Sequence, residues 1–305
     1  MAEIAILTDD PGWHGARLRE AFRDVGVEAR FASLRDCRID LQREHCAVVI
    51  PGFEDRLPDG VFVRGVPGGT LEQVVLRLDC LHALKLLGIQ VYNDGRAIER
   101  TVDKAMTSFV LASAGVPTPP TWVSESTEQA RAIVAAELAA GHELVAKPLF
   151  GSRGVGLARI ASLQDLPTAE ACDGVHYLQR YVGSAQADWH DWRVFVIADE
   201  AVAAMQRDGK SWVTNVSQGG RCAPVDLTLN ADIGALAVKA TRALQMDHAG
   251  VDLIRDREGR LLVIEVNGIP AWKGLQSVTR ESIAHRLARD FVERCLQRPA
   301  LQSVA

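Results

Sequence analysis

Asp252, Glu265 and Asn267 are the residues of this chain whose types and spacing best suit chemistry. Glu265 and Asn267 stand two apart in the otherwise apolar run Leu261-Leu262-Val263-Ile264-Glu265-Val266-Asn267. At that spacing on a strand both side chains share a face. A second strand-like run, Gly250-Val251-Asp252-Leu253-Ile254, carries one acid in its middle. Between the runs, Asp256-Arg257-Glu258-Gly259 suits a hairpin. Pairing the runs brings Asp252 beside Glu265 and Asn267. Three hard oxygen donors without thiolate or imidazole suit Mg²⁺, which usually also binds substrate phosphates. One acid on a solvent-facing strand is ordinary. Acids flanked by Val, Leu or Ile on both strands favour a metal site over a solvated sheet.

A second constellation begins at Lys147, which closes the apolar run Leu144-Val145-Ala146. After it comes Pro148-Leu149-Phe150-Gly151-Ser152-Arg153-Gly154-Val155-Gly156, whose glycines let backbone N–H groups approach an anion. No Gly-Lys-Ser/Thr follows the glycines, so this is not a Walker loop. The strand-like run Val155–Ile160 follows instead of a helix, so it is not a Rossmann fingerprint either. Alone, the glycines are more commonly explained by a plain tight turn. A lysine ending a buried strand needs a counter-charge, and a triphosphate would serve.

The elements that must position these groups alternate in type. Ile4–Leu7, Cys46–Ile50, Val61–Val63 and Ile89–Tyr92 read as strands, and Ala16–Val25 and Leu71–Leu87 as helices. That is a βαβ pattern and a small parallel sheet. A new unit opens near Asn93. It contains a helix over Thr101–Ala114 carrying Lys104, a Pro-rich linker, a strand at Thr121–Val123 and a helix over Thr127–Ala140. Beyond Tyr177 strands dominate: Tyr177–Val182, Trp192–Ile197, Ala201–Met205 and Trp212–Val216. Leu229–Met246 and Ser277–Gln297 are helical, and Ser184–Asp191 is the expected mobile connection.

The bulk numbers exclude several classes. A chain of 305 residues, 48% hydrophobic and 24% charged, is that of a globular protein with two or three subdomains. A net charge of −5 without a long basic run disfavours nucleic acid and anionic membranes as partners. No long uncharged apolar stretch predicts a membrane span, and Met1–Asp10 reads as a first strand rather than a signal peptide. The six cysteines form no CxxC pair, so zinc and thioredoxin readings fail and a reducing, cytoplasmic compartment is the simplest expectation. Oligomeric state, including a homo-oligomer, stays open.

In order, Lys104, Lys147 with its glycine hairpin, Asp252 and Glu265-x-Asn267 resemble the ATP-grasp superfamily of carboxylate–amine ligases, and most of all the RimK-type glutamate ligases. Leu178-Gln179-Arg180-Tyr181-Val182 resembles the hinge that holds adenine, although the family usually has an acid where Arg180 stands. Asp191-Trp192-Arg193 resembles the D-x-R strand, and Asn215 with Gly219-Gly220 the N-x-x-x-G-G turn. Glu265-Val266-Asn267-Gly268-Ile269-Pro270 resembles the E-V-N-x-x-P signature, but Ala271-Trp272-Lys273-Gly274 follows where a glycine is usual.

The resemblance implies an α/β chain with α+β character in its C-terminal part. The expected units are a βαβ domain over 1–93, a central ATP-binding subdomain over 94–182, and a C-terminal subdomain over 183–305 with the metal site. It implies ATP and one or two Mg²⁺ ions, with Mn²⁺ as a substitute. Lys104, Lys147, Gly151, Ser152, Gly154, Gly156, Gln179, Tyr181, Val182 and Asp188 are the nucleotide-binding residues it implies, with the hairpin as a lid. The implied reaction adds an amino acid, L-glutamate first, to a small-molecule carboxylate. Alternatives are glutamylation of a protein tail, a nucleotide-binding module without ligase activity, or a D-alanine–D-alanine ligase or glutathione-synthetase-like activity. Arg193 and Arg207 are candidates for carboxylate and acylphosphate contact, because a guanidinium fork suits planar carboxylates. The other readings are a salt bridge from Arg193 to Asp191 and a solvated strand end at Arg207. Asn215 would position phosphates or cap a turn. His190, His248 and His285 lack paired acids at useful spacing, so packing or surface roles are expected. Trp272, just past the metal strand, is expected to stack on a flat acceptor.

Overall fold

The computed structural model describes residues 1–43, 47–151, 154–183, 189–215 and 219–297. Its first unit opens with β1 (Ala2–Leu7), α1 (Gly12–Asp24) and β2 (Val27–Ala32). A two-stranded antiparallel ribbon follows, β3 (Arg38–Ile39) with β4 (Val48–Val49), and then β5 (Gly60–Val63), α2 (Leu71–Leu86) and β6 (Val91–Tyr92). The parallel sheet runs β2-β1-β5-β6. Ile4, Ala5, Ile6 and Leu7 are all fully buried, as strands covered on both faces require. Val27-Glu28-Ala29-Arg30-Phe31-Ala32 is a further strand, absent from the expected set although its alternating burial is plain. The expected strand at Cys46–Ile50 does not join the main sheet. Its described part pairs with Arg38–Ile39, and Val48 and Ile50 pack against α2 residues such as Leu81 and Leu84.

The expected helix over Thr101–Ala114 is two helices, α3 (Gly95–Val102) and α4 (Lys104–Ser113). Asp103 makes the break: it ends α3, and its carboxylate accepts from Ala105 N at 2.8 Å and Met106 N at 3.1 Å as the α4 N-cap. Lys104 therefore sits in the first turn of α4. The middle unit contains β7 (Thr121–Ser124), α5 (Thr127–Ala139), β8 (Leu144–Lys147), β9 (Ala158–Ile160) and β10 (His176–Arg180). Its antiparallel sheet runs β7-β10-β8-β9, over a small core of Ala130, Val134, Leu144, Ala146, Ile160 and Leu178.

The last unit is built from β11 (His190–Ile197), β12 (Glu200–Asp208), β13 (Arg221–Pro224), α6 (Ala231–Ala243), β14 (His248–Arg255) and β15 (Leu261–Asn267). They are followed by α7 (Lys273–Gln276) and α8 (Ile283–Phe291), so the long helix expected over Ser277–Gln297 is shorter and starts later. The sheet order is β13-β12-β11-β14-β15. The expected strand at Trp212–Val216 is irregular backbone through Asn215, the last described residue before 219. β13 takes that sheet edge instead, pairing Cys222 with Arg207. One face of the sheet packs Val194, Val196, Val251 and Leu253 under α6. The opposite face packs Phe195, Ile197 and Met205 with Ile4, Phe22, Phe62 and Phe291, so the first and last units share one core.

Candidate active site

The hairpin β14–β15 forms in the register read from the sequence. Asp252 lies opposite Glu265, and Gly250 opposite Asn267. The register then shifts by one residue, so Leu253 pairs with Val263 and Ile264 is extra. A β-bulge re-aims side chains. Here it lets the consecutive residues Ile264 and Glu265 both face one cleft. The cleft is also lined by Lys104, Lys147, Gln179, Tyr181, Val182, Arg207, Asn215 and Asp252.

On the nucleotide side, Lys147 Nζ donates to Gln179 Oε1 at 2.7 Å. Gln179 Nε2 in turn donates to Thr121 Oγ1 at 3.0 Å and Tyr177 OH at 3.3 Å, and Tyr177 OH meets Ser108 Oγ at 2.8 Å. Gln179, expected near adenine, thus has its carboxamide engaged with Lys147. Lys104 Nζ donates to the carbonyls of Gly151 at 2.9 Å and Leu149 at 3.4 Å, at the base of the glycine hairpin. Gly154 has φ +72°, and a Cβ there would stand 3.0 Å from both Asn215 Oδ1 and Val213 Cγ1. Only glycine lets the hairpin close this tightly on the Asn215 segment. Ser152 and Asp188 lie outside the described residues. Tyr181 stands edge-on to Trp212 at 6.0 Å, under the guanidinium of Arg159 at 4.2 Å. Arg180, where the family usually has an acid, is tied back to Glu137 by hydrogen bonds of 2.8 and 3.1 Å.

On the other side both candidate arginines are already paired. Arg193 forms a bidentate pair with Asp252, one arm at 2.7 Å. Arg207 forms one with Asp191 at 2.7 and 2.5 Å, and reaches Asp252 at 3.0 Å. Thr214 Oγ1 donates to Asp191 at 2.8 Å. Arg193 thus finds Asp252 rather than the Asp191 that chain proximity suggested, and Arg207 is a buried network member rather than a solvated strand end. The contacts to Asp252 join strands far apart in sequence, and so were not legible in it.

Electrostatics single out Glu265. Burial and the neighbouring Asp252 charge raise its carboxyl above the usual range. Burial would raise Asp252 too, but Arg193 and Arg207 outweigh it and hold that carboxyl low. Burial pulls Lys104 down and Lys147 down to about 8, and the Glu265 charge opposes both shifts. Among the described residues Glu265 has no hydrogen bond or ion pair within contact distance. Asn267 Nδ2 donates to Gly250 O at 3.4 Å, so its Oδ1 is available as a ligand. Among the described residues no group of three His, Cys, Asp or Glu gathers as a metal site. The candidate set is instead two carboxylates and a carboxamide. Its hard oxygens, with an unpaired carboxylate among them, fit Mg²⁺.

Trp272 does not border the cleft. Only 1% exposed, it packs edge-on against His14 at 4.6 Å and Phe195 at 6.0 Å, so the expected stacking platform is core. Past Pro270 the chain turns under the sheet instead of along it. His248 is buried in a stack with Tyr92 and Phe62, and His285 bonds Asp24 and Ser282 at the surface, both as expected.

Two lysines beside a glycine hairpin and carboxylates on a paired-strand hairpin line one cleft, and the fold is that of the ATP-grasp ligases. A solved structure of the ATP-grasp ligase PsnB complexed with minimal precursor matches with a TM-score of 0.73 at 18% identity. The match covers 96% of this chain and 99% of that one. The RimK-like ATP-grasp domain model matches residues 101–291, and the chain belongs to that family of ADP-forming carboxylate–amine ligases. It is 33% identical over 232 residues to the tetrahydromethanopterin:alpha-L-glutamate ligase of Methanococcus maripaludis, covering 74% of this chain and 76% of that one. A probable alpha-L-glutamate ligase 1 of Shewanella amazonensis is 27% identical over 311 residues, 99% of each chain. No helix of the described residues is long and apolar enough to cross a membrane.

A Lys147 that contacts the phosphates would make ATP binding pH-dependent, because burial lowers its pKa to about 8 in the free protein and a bound phosphate would hold it charged. ATP affinity should therefore fall about tenfold between pH 7 and pH 9, with proton uptake on binding approaching one at the upper end. Calorimetry in buffers of different ionisation enthalpy reads both. A flat affinity across that range, or the same dependence in Lys147→Gln, would rule out this role.

Proposed function

We propose that the chain is a Mg-ATP-dependent ligase that joins L-glutamate to a carboxylate on a second substrate, releasing ADP and phosphate. The carrying observation is Glu265, a carboxylate without a partner among the described residues that opens on the cleft opposite Lys147 and Lys104. The relatives named as alpha-L-glutamate ligases support glutamate as the amine.

The acceptor carboxylate attacks the γ-phosphorus, the bond to the ADP oxygen breaks, and an acylphosphate forms. The amine of glutamate then attacks the acyl carbon, gives up a proton, and phosphate leaves. Anion attacks anion in the first step, so positive charge must be concentrated there. Lys104 and Lys147 would supply it at the α- and β-phosphates. Asp252, Glu265 and Asn267 would hold one or two Mg²⁺, which neutralise the triphosphate, and Mn²⁺ suits the same oxygens. The network Arg193–Asp252–Arg207–Asp191 holds Asp252 opposite Glu265, and its two guanidiniums would stand close to the reacting end. The glycine hairpin, seated on Asn215, would exclude water from the acylphosphate.

An ADP-release screen tests this. L-glutamate and each other amino acid are supplied in turn with candidate acceptors, pterin carboxylates and peptide C-termini among them. Release that requires both L-glutamate and an acceptor is expected. Release with another amino acid alone, or with none, would remove glutamate from the assignment.

A further inference from the structure

The order β2-β1-β5-β6 contains a topological switch. The chain leaves β1 to one side for β2, then returns to the other side for β5. In open parallel sheets, ligands bind outside the carboxyl ends of the strands at such a point. Arg64 stands there, directly after β5, with its backbone N–H bonded to Leu7 O at the end of β1 at 2.8 Å. Its loop is braced from below: buried Arg77 donates to Pro67 O at 2.9 Å and Gly68 O at 3.0 Å.

Among the described residues the Arg64 guanidinium makes no hydrogen bond and no ion pair, and its Nε is buried without a partner. It lies over the Trp272 ring at 5.2 Å. Trp272 Nε1–H is likewise buried and unpartnered. Beside them, His14 Nε2 accepts from Trp272 N at 3.1 Å, which places the proton of the neutral ring on Nδ1. Burial and the charges of Arg64 and Lys273 push the His14 pKa down to about 4, so the ring stays neutral. These groups are all donors, with no carboxylate among the described residues to answer them. Burying an unpaired guanidinium costs stability, and such costs gather at functional sites. Trp272 follows the metal strand β15 directly, and His248, which feels the Arg64 charge, begins β14. The cluster is thus tied to the start of β14 and the exit of β15, the two strands that carry the candidate metal ligands.

We infer that Arg64, on its Trp272 and His14 platform, binds a carboxylate of the L-glutamate substrate. This rests on the glutamate-ligase reading above. A glutamate carboxylate matches a guanidinium fork with flanking N–H donors.

The test is calorimetric titration of L-glutamate into the full chain saturated with Mg-ADP, for the parent, Arg64→Met and Arg64→Lys. Arg64→Met should bind L-glutamate about thirtyfold more weakly. Arg64→Lys should recover part of that affinity. Mg-ADP affinity should not change, and Arg64→Met should melt no lower than the parent, because a purely structural arginine would do the reverse. L-glutamine and L-isoglutamine, each lacking one carboxylate, identify the one held: the analogue already missing it should bind parent and Arg64→Met alike. Equal L-glutamate affinity in the parent and a folded Arg64→Met overturns the inference and leaves the ligase reading standing. A parent that binds no L-glutamate removes both.

Discussion

Glu265→Gln should lower turnover at least about a thousandfold while leaving the fold intact. The substitution keeps the side chain's shape and removes one negative charge. Losing a metal ligand is worth several kcal/mol at the barrier, and about 4 kcal/mol corresponds to a thousandfold in rate. Stability should hold or rise, because Glu265 has no hydrogen-bond partner among the described residues to lose and sits where burial and Asp252 disfavour its charge. A second signature separates this from general damage. The Glu265 charge helps keep Lys147 protonated, so in the variant the Lys147 pKa should fall below its present value of about 8. The decline of ATP affinity with pH should move to lower pH accordingly. Steady-state rates, thermal melting and the pH series together decide the matter. A folded variant with a near-normal rate would falsify the metal assignment.

Asn93→Ala should destabilise the fold by about 4 kcal/mol or more, a loss in the exceptional range for a point substitution. Asn93 is fully buried between the first and last units. Its Nδ2 donates to His248 O at 2.8 Å and Gly268 O at 2.7 Å, and its Oδ1 accepts from Asp247 N at 2.7 Å and His248 N at 3.0 Å. One carboxamide thus satisfies backbone groups at the start of β14 and the exit of β15. Alanine leaves them buried and unpaired, at roughly 1–3 kcal/mol each where water cannot enter. In a chain of this size the melting temperature should drop by about 10 °C. Activity measured well below the melt should drop as well, since the same bonds set the spacing of the strands that carry Asp252 and Glu265. A drop under about 2 °C would show that the carboxamide is not the clamp.

What could be read in the residues alone was whatever depends on local period. Two apolar strands with acids at matching positions predict their own pairing, and the structure forms it. The lysine closing β8 and the glycines after it were legible for the same reason. Partners fixed by tertiary register were not. Nothing local tells Arg193 to choose Asp252 over Asp191, and Asn93 is one polar residue in a connecting stretch. Trp272 was misread because nearness in sequence to Glu265 suggested nearness to the cleft, while the chain turns beneath the sheet. Arg64 carries no motif. Its signal is the absence of a partner among the described residues, which exists only in three dimensions.

The bulge at Ile264 acts on β15 as a frameshift acts on a reading frame. On the Leu261 side, Val263 faces the α6 core, and on the Asn267 side Val266 does, so odd and even positions exchange meaning at Ile264. Removing that one residue would restore strict alternation with Val263 and Val266 still on the core and Glu265 still on the cleft, and would cost only the extra cleft-facing side chain and the local bend. Length changes in the turn at Asp256–Gly259 alter no phase. The hairpin therefore keeps its phase through length changes at its tip and through loss of the bulge residue, whereas a single deletion elsewhere between Leu261 and Asn267 would throw one side of the strand out of phase.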